Sequence, residues 1–154
     1  MLIEFERWER LQKDDLPLLE LWLEDAEVLK RMDGMLPLGE WYENTSQNDM
    51  YFTWLAYIGE QPIGTVIIER DNESAYIGII TNPTLRYQGY GKALISEVMK
   101  RPELQAVAKW VASIEEDNKP CLACFSALGY VQEEEEPDED GFLDLVYERE
   151  RERD

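Results

Sequence analysis

Arg86-Tyr87-Gln88-Gly89-Tyr90-Gly91-Lys92 is the stretch on which the reading of this chain turns. It follows a β-branched run, Ala75 to Thr81, which Asn82-Pro83 ends. It opens a helical stretch, Lys92 to Lys100, whose Leu94, Ile95, Val98 and Met99 share one face. Glycine has no Cβ, so backbone at Gly89 and Gly91 can come close to a bound group. The first N–H groups of a helix have no partner within it, and the helix dipole adds about half a positive charge there. Strand, glycine turn and helix start in that order make a place for a pyrophosphate, and Arg86 and Lys92 would add charge. The same spacing also suits an ordinary glycine turn. It is not a Walker loop, because Gly-Lys-Ser/Thr is missing, and it is not the dinucleotide fingerprint, whose third glycine position falls on Leu94.

Upstream, three strand-like runs, Tyr51 to Ile58, Ile63 to Glu69 and Ala75 to Thr81, are separated by the turns Gly59-Glu60-Gln61-Pro62 and Asp71-Asn72-Glu73-Ser74. That pattern predicts an antiparallel meander. Before it, Leu2 to Glu6 reads as a first strand. Asp14 and Asp15 then cap an apolar helical segment, Leu16 to Leu29, with Pro17 in its first turn. Gly34, Pro37 and Gly39 break that helix, and Glu40 to Gln47 reads as a second, short one. Downstream, Pro102 closes the Lys92 helix, Val107 to Ile114 returns as a strand, and Lys119 to Leu128 is a helix stopped by Gly129. Val131 to Glu135 and Phe142 to Tyr147 form a last pair of strands, with the acidic run Glu133 to Glu136 on a solvated edge. The order β-α-α-β-β-β-α-β-α-β-β predicts one α+β domain over residues 1–154, with no internal repeat.

The composition bounds the chemistry. The 154 residues suit one core, and 44% of them are apolar. With no run of about 18 uncharged apolar residues and no signal-peptide pattern at the N-terminus, the expected setting is the cytoplasm, without a membrane span. The chain has no histidine, which excludes Ser-His-Asp and Cys-His catalysis in their usual forms and His-ligated zinc. Fifteen basic residues against 34 acidic ones leave a net charge of −19. Such a surface repels nucleic acid and attracts cations, although the charge also serves solubility alone.

Arg86-x-x-Gly89-x-Gly91 resembles the Arg/Gln-x-x-Gly-x-Gly/Ala loop of the GCN5-related N-acetyltransferases (GNAT). A second block, Asn118 followed by Phe125-Ser126-Ala127-Leu128-Gly129-Tyr130, is similar to that family's Asn and Tyr-Glu-Lys-x-Gly-Phe, at the family's distance. The resemblance covers nearly the whole chain. It implies a mostly antiparallel mixed sheet flanked by helices, and acetyl-coenzyme A (acetyl-CoA) as co-substrate. The N–H groups of Tyr87, Gln88, Gly89, Tyr90, Gly91 and Lys92 would hold the pyrophosphate, with Arg86 assisting. The strand edge Ile79-Ile80-Thr81 would pair with the pantetheine arm. A main-chain N–H at Ile79 or Ile80 would polarise the thioester carbonyl. Asn118 would hydrogen-bond the pantetheine, and it also reads as a helix N-cap before Lys119-Pro120.

Departures from the family pattern bear on proton transfer. Many relatives use a tyrosine as general acid where this chain has Phe125. The strand from Ser74 to Thr81 carries no base carboxylate, and Glu69, Glu73 and Glu115 read as surface charge. Tyr87, Tyr90 and Tyr130 carry hydroxyls with no stated target, and water can relay the proton. Cys121-Leu122-Ala123-Cys124 reads as two small buried residues rather than a metal or redox pair. Trp8, Trp22, Trp41, Trp54 and Trp110 read mostly as core, with Trp41 and Tyr42 placed where the family often builds its acceptor pocket. Two function classes follow. The first is an N-acetyltransferase acting on a small-molecule or peptide amine, by direct attack in a ternary complex, as a monomer or homodimer with a cationic acceptor. The second is a CoA-binding sensor or regulatory module without turnover.

Overall fold

The computed structural model describes residues 3–149. Seven strands form one sheet in the order β1-β2-β3-β4-β5-β7-β6. They are β1 (Arg7–Arg10), β2 (Tyr51–Ile58), β3 (Gln61–Asp71), β4 (Ser74–Thr81), β5 (Lys109–Glu115), β6 (Val131–Gln132) and β7 (Phe142–Glu148). The meander expected from the turn residues is present, and β2-β3-β4 pair antiparallel in sequence order. Only β4 and β5 pair parallel, because helix α4 (Tyr90–Val98) carries the chain over the sheet between them. The fold is the single α+β layer arrangement the element order implied.

Helix α4 begins at Tyr90 rather than Lys92, β6 ends at Gln132 rather than Glu135, and two expected elements change more. The first strand lies at Arg7–Arg10 rather than Leu2 to Glu6, where Leu2 falls outside the described residues and Ile3–Phe5 has no regular structure. There Arg7 and Arg10 pair with Tyr57 and Trp54 of β2 and lay their guanidinium groups over Tyr57 at 4.2 Å and Trp54 at 5.5 Å. Cation–π contact thus suits an edge strand that lacks alternation. The segment Leu16 to Leu29 is two helices, α1 (Leu16–Trp22) and α2 (Ala26–Met32), broken by Asp25. The Asp25 backbone is extended, and its carboxylate accepts the N–H groups of Glu27 and Val28, each at 3.1 Å, which starts a new helix. Helices α3 (Leu38–Ser46) and α5 (Lys119–Ala127) lie close to their expected positions.

Strand alternation gives the sheet two apolar faces. Val66, Ile68, Ala75 and Ile77 meet Leu94, Ile95 and Val98 of α4 and Phe125 of α5 on one face. Leu55 and Ile80 meet Leu16, Leu19 and Trp22 of α1, Val28 of α2 and Leu38 of α3 on the other. Gly64 sets how closely α4 approaches, since a Cβ there would stand 2.6 Å from Leu94 Cδ1 and 2.8 Å from the Ile80 carbonyl. Trp22, Trp54 and Trp110 are buried in these layers, while Trp8 and Trp41 are half-buried against them. Among the described residues, no helix is long and apolar enough to cross a membrane.

Candidate active site

The parallel step in the sheet makes the site. β4 and β5 pair only at Ser74–Lys109, Ala75–Trp110 and Tyr76–Val111. Beyond Tyr76 the strands part, and a cleft of about 530 Å³ opens between their C-terminal ends. Ile77 to Thr81 therefore have β3 on one side and an open edge on the other. Asn82 N–H bonds the Ile63 carbonyl of β3 at 2.8 Å. Residues alternate in direction along a strand, so the main-chain groups of Ile80 face β3 and those of Ile79 and Thr81 face the cleft. Of the two main-chain donors expected from sequence, Ile79 is the one turned toward the opening. Ile80 N–H belongs to the β3–β4 ladder, and its side chain is buried in the opposite core.

At one end of the cleft stands the glycine turn. Gly89 caps α4 with φ +83, a left-handed conformation that side chains with a Cβ resist, and Tyr87 shares that region at φ 64. The first main-chain bond into α4 runs from Ala93 N–H to the Gly89 carbonyl at 3.3 Å. The N–H groups of Tyr90, Gly91 and Lys92 precede it and have no intrahelical acceptor. A Cβ on Gly91 would project toward Cys124 Sγ, Ile79 Cδ1 and Thr81 Oγ1, at 3.4, 3.7 and 3.9 Å. The missing side chain keeps that part of the cleft open. Unpaired donors, a bare Gly91 and an open strand edge suit the diphosphate and amide arm of coenzyme A.

The cleft brings together most of the residues singled out from sequence: Ile79, Ile80, Thr81, Arg86, Tyr87, Gly89, Tyr90, Gly91, Asn118 and Phe125 all line it. Gln88 and Lys92 do not, and both are exposed. Arg86 lines the cleft and also has a partner within the chain. Its guanidinium grips the Asp25 carboxylate through both terminal nitrogens, with Nη1 to Oδ1 at 3.1 Å, so its charge is already matched. That bond holds the Asp25 carboxyl below the usual carboxylate range and raises the pKa of Arg86. Asn118 takes the N-cap position of α5 without a side-chain capping bond and lines the cleft.

Phe125 is buried, its ring edge-on to Tyr130 at 4.9 Å. Tyr130 lies behind it, away from the cleft lining, and its hydroxyl donates to Met99 Sδ at 3.3 Å. Burial raises the Tyr130 pKa further above the phenol range. Tyr87 is 93% exposed, which leaves Tyr90 as the half-buried phenol on the cleft wall. The cysteines are less enclosed than expected: Cys121 and Cys124 are half-buried, free, and both line the cleft. Burial and the neighbouring Cys124 push the Cys121 thiol up to about 12, and burial also raises Cys124. Trp41 and Tyr42 pack against the α1–α3 core and are not part of the cleft wall.

The α2 side of the cleft was hidden in the sequence. Glu27, Val28, Arg31 and Met32 of α2 line it, opposite Ser113 and Glu115 of β5. Glu115, read as surface charge, is a half-buried cleft residue 3.3 Å from Arg31 Nη1. Arg31 also meets Glu27 at 2.8 Å and Asp117 at 2.7 Å. Burial disfavours its charge, but these three carboxylates outweigh that and raise its pKa. The signal that could have shown this wall was Asp25 followed by Glu27, a second cap inside an apolar run. The 3.6-residue spacing of the leucines masked it.

A family model for the acetyltransferase (GNAT) family matches residues 7–130. Over 145 residues the chain is 44% identical to a Bacillus subtilis (strain 168) protein described as uncharacterized N-acetyltransferase YfmK, covering 94% of this chain and 98% of that one. The fold is also similar to spermidine N-acetyltransferase from Vibrio cholerae, solved with CoA and spermine, at TM-score 0.79 and 15% identity over 93% of this chain and 95% of the other. It is similar to Campylobacter jejuni N-acetyltransferase PseH with acetyl coenzyme A, at TM-score 0.73 and 17% identity over 94% and 99%. With its split β4–β5 pair, its glycine-capped α4 and these matches, the chain belongs to the acetyltransferase (GNAT) family and is an acetyl-CoA-dependent N-acetyltransferase.

Proposed function

We propose that this enzyme acetylates a cationic primary amine by direct attack in a ternary complex, acetyl-CoA entering from the α4–α5 side and the acceptor from the α2 side. The observation that carries this is the cleft itself. It opens between β4 and β5 and is lined both by the start of α4 with its main-chain donors and by the Glu27–Arg31–Glu115 cluster.

The N–H groups of Tyr90, Gly91 and Lys92 hold the pyrophosphate, with the helix dipole behind them. The open edge of Ile79 and Thr81 pairs with the pantetheine amides as an added strand, and the Asn118 amide gives a further bond. Ile79 N–H donates to the thioester oxygen, whose negative charge grows as the amine nitrogen adds to the carbonyl carbon. The C–N bond forms, the C–S bond breaks, and the amine proton leaves through water or a cleft carboxylate, since the chain has no histidine and β4 carries no carboxylate. The CoA thiolate is a good leaving group and can depart without a phenol acid. The setting is the cytoplasm, where two unpaired thiols beside the co-substrate persist.

The net charge of −19 favours approach of a positive acceptor. Release of free thiol from acetyl-CoA, measured with polyamines, aminoglycosides, amino acids and peptide N-termini, tests the reading. The expected best acceptor is a polycationic amine whose kcat/KM falls as salt rises. A best acceptor that is anionic, or a rate indifferent to salt, would overturn the acceptor class. Thiol release from no amine in the panel would overturn the assignment of the cleft.

A further inference from the structure

Helix α2 is tied across the mouth of the cleft by ion pairs at both ends. At its N-terminus, Asp25 holds Arg86 of the β4–α4 turn. In its last turn, Lys30 Nζ meets Asp117 Oδ2 at 2.9 Å and Arg31 Nη1 meets Asp117 Oδ1 at 2.7 Å, on the loop between β5 and α5. One lip of the cleft is thus attached to each end of a seven-residue helix. The same helix presents Glu27, Val28, Arg31 and Met32 to the cleft wall.

The Asp25 contact is the tighter link, because one carboxylate has two tasks. Its Oδ2 accepts the N–H groups of Glu27 and Val28, which sets where α2 begins, and the same oxygen receives Arg86 Nη2. Oδ1 receives Arg86 Nη1 at 3.1 Å. A bidentate guanidinium–carboxylate pair fixes both distance and plane. A shift of the Arg86 turn must therefore either break the pair or carry the start of α2 with it. Arg86 and Asp25 are 61 positions apart, so no local chain geometry imposes this contact.

We propose that Asp25 is a positioning residue that couples the two halves of the cleft: when coenzyme A orders the Arg86–Lys92 turn, the Asp25–Arg86 pair carries that ordering into α2 and sets the acceptor wall. This rests on the reading of that turn as the pyrophosphate site. Asp25 itself touches neither substrate, and its effect passes through Glu27 and Arg31.

Amide hydrogen exchange on the full chain, with coenzyme A alone as the probe, tests this without knowledge of the acceptor. In the wild type, coenzyme A is expected to slow exchange on the order of tenfold both in the first turn of α4 and in α2. Asp25→Asn keeps an oxygen that can cap α2 but faces Arg86 with a donor, and Arg86→Gln removes the fork while leaving the Asp25 cap intact. Both variants are expected to keep the slowing in α4 and lose it in α2. A merely structural pair would speed α2 exchange equally with and without coenzyme A and leave the ligand-dependent difference unchanged, which would overturn the proposal. Slowing in α4 but not in α2 of the wild type would overturn it as well, leaving the pyrophosphate reading in place. No slowing in α4 of the wild type would overturn both.

Discussion

Gly91 faces Cys124 across the cleft, so that a Cβ on Gly91 would stand 3.4 Å from the Cys124 sulfur. The two residues come from different helices, Gly91 from the first turn of α4 and Cys124 from the middle of α5, and both line the cleft. Gly91→Val is expected to fill that gap and lower coenzyme A affinity at least about tenfold, with little loss of stability, because Gly91 has ordinary helical backbone. Gly89→Val is expected to cost about 1–3 kcal/mol of stability in addition, since its φ of +83 strains any residue with a Cβ. Calorimetric titration with coenzyme A and urea unfolding of both variants separate the two effects. Full affinity in folded Gly91→Val would remove the pyrophosphate assignment.

The cysteines make a second prediction. With Cys121 pushed up to about 12 and Cys124 also raised, both thiols are protonated at neutral pH. At pH 7 roughly one Cys121 in 10⁵ is thiolate, so iodoacetamide should label it far more slowly than a free thiol of pKa about 8.5. Saturating coenzyme A should slow Cys124 further by covering it. Labelling of Cys124 that coenzyme A leaves unchanged would show that the ligand does not pass along α5.

Proton transfer gives a third. A tyrosine acid would make the rate fall as it ionised near about pH 10. Phe125 cannot do so, and the Tyr130 hydroxyl is buried against Met99. The pH–rate profile should rise with the ionisation of the acceptor or of a cleft carboxylate and then level off. Phe125→Tyr should introduce a descending limb or speed transfer from a slow-leaving acyl donor. A wild-type bell whose upper limb disappears in Tyr90→Phe would assign the role to Tyr90, the half-buried phenol on the cleft wall.

Acid stability supplies the fourth. Hydrogen bonds from Lys30 and then Arg31 lower the Asp117 pKa from 3.8 to about 2. A carboxyl whose folded pKa lies below its unfolded value stabilises the fold above the unfolded value, and this is lost as pH falls through the folded one. Wild type should therefore exceed Asp117→Asn in stability at pH 5 to 7, with the gap closing between about pH 4 and pH 2. Urea midpoints of the two proteins across that range measure it. A gap that persists unchanged to pH 2 would show that the α2 anchor acts through packing rather than charge.

Much of this protein was legible in one dimension, because local rules govern the elements involved. The turns Gly59-Glu60-Gln61-Pro62 and Asp71-Asn72-Glu73-Ser74 break two β-branched runs, and β2, β3 and β4 follow. The glycine turn could be placed ahead of α4 because its two glycines stand between a strand and an apolar helical run, although α4 begins at Tyr90, two residues before the expected Lys92. The first strand was misplaced because Arg7-Trp8-Glu9-Arg10 has no alternation, and its partner's aromatic rings make it a strand. The break at Asp25 was missed because the leucines on both sides keep one helical period through it.

Sequence alone determined the β2–β3–β4 meander, the glycine turn and the missing phenol at position 125, since each is written in residues close together or in a single residue type. Tertiary structure decided what Arg86 holds, which of Ile79 and Ile80 faces the opening, and that α2 lines the cleft. The reason is the same in all three cases. A charge partner, the direction of a main-chain N–H and the lining of a cleft depend on contacts between distant segments, such as Asp25 with Arg86 and Arg31 with Glu115. Spacing along a chain carries no record of them, whereas the splay of β4 from β5 brings them to one place.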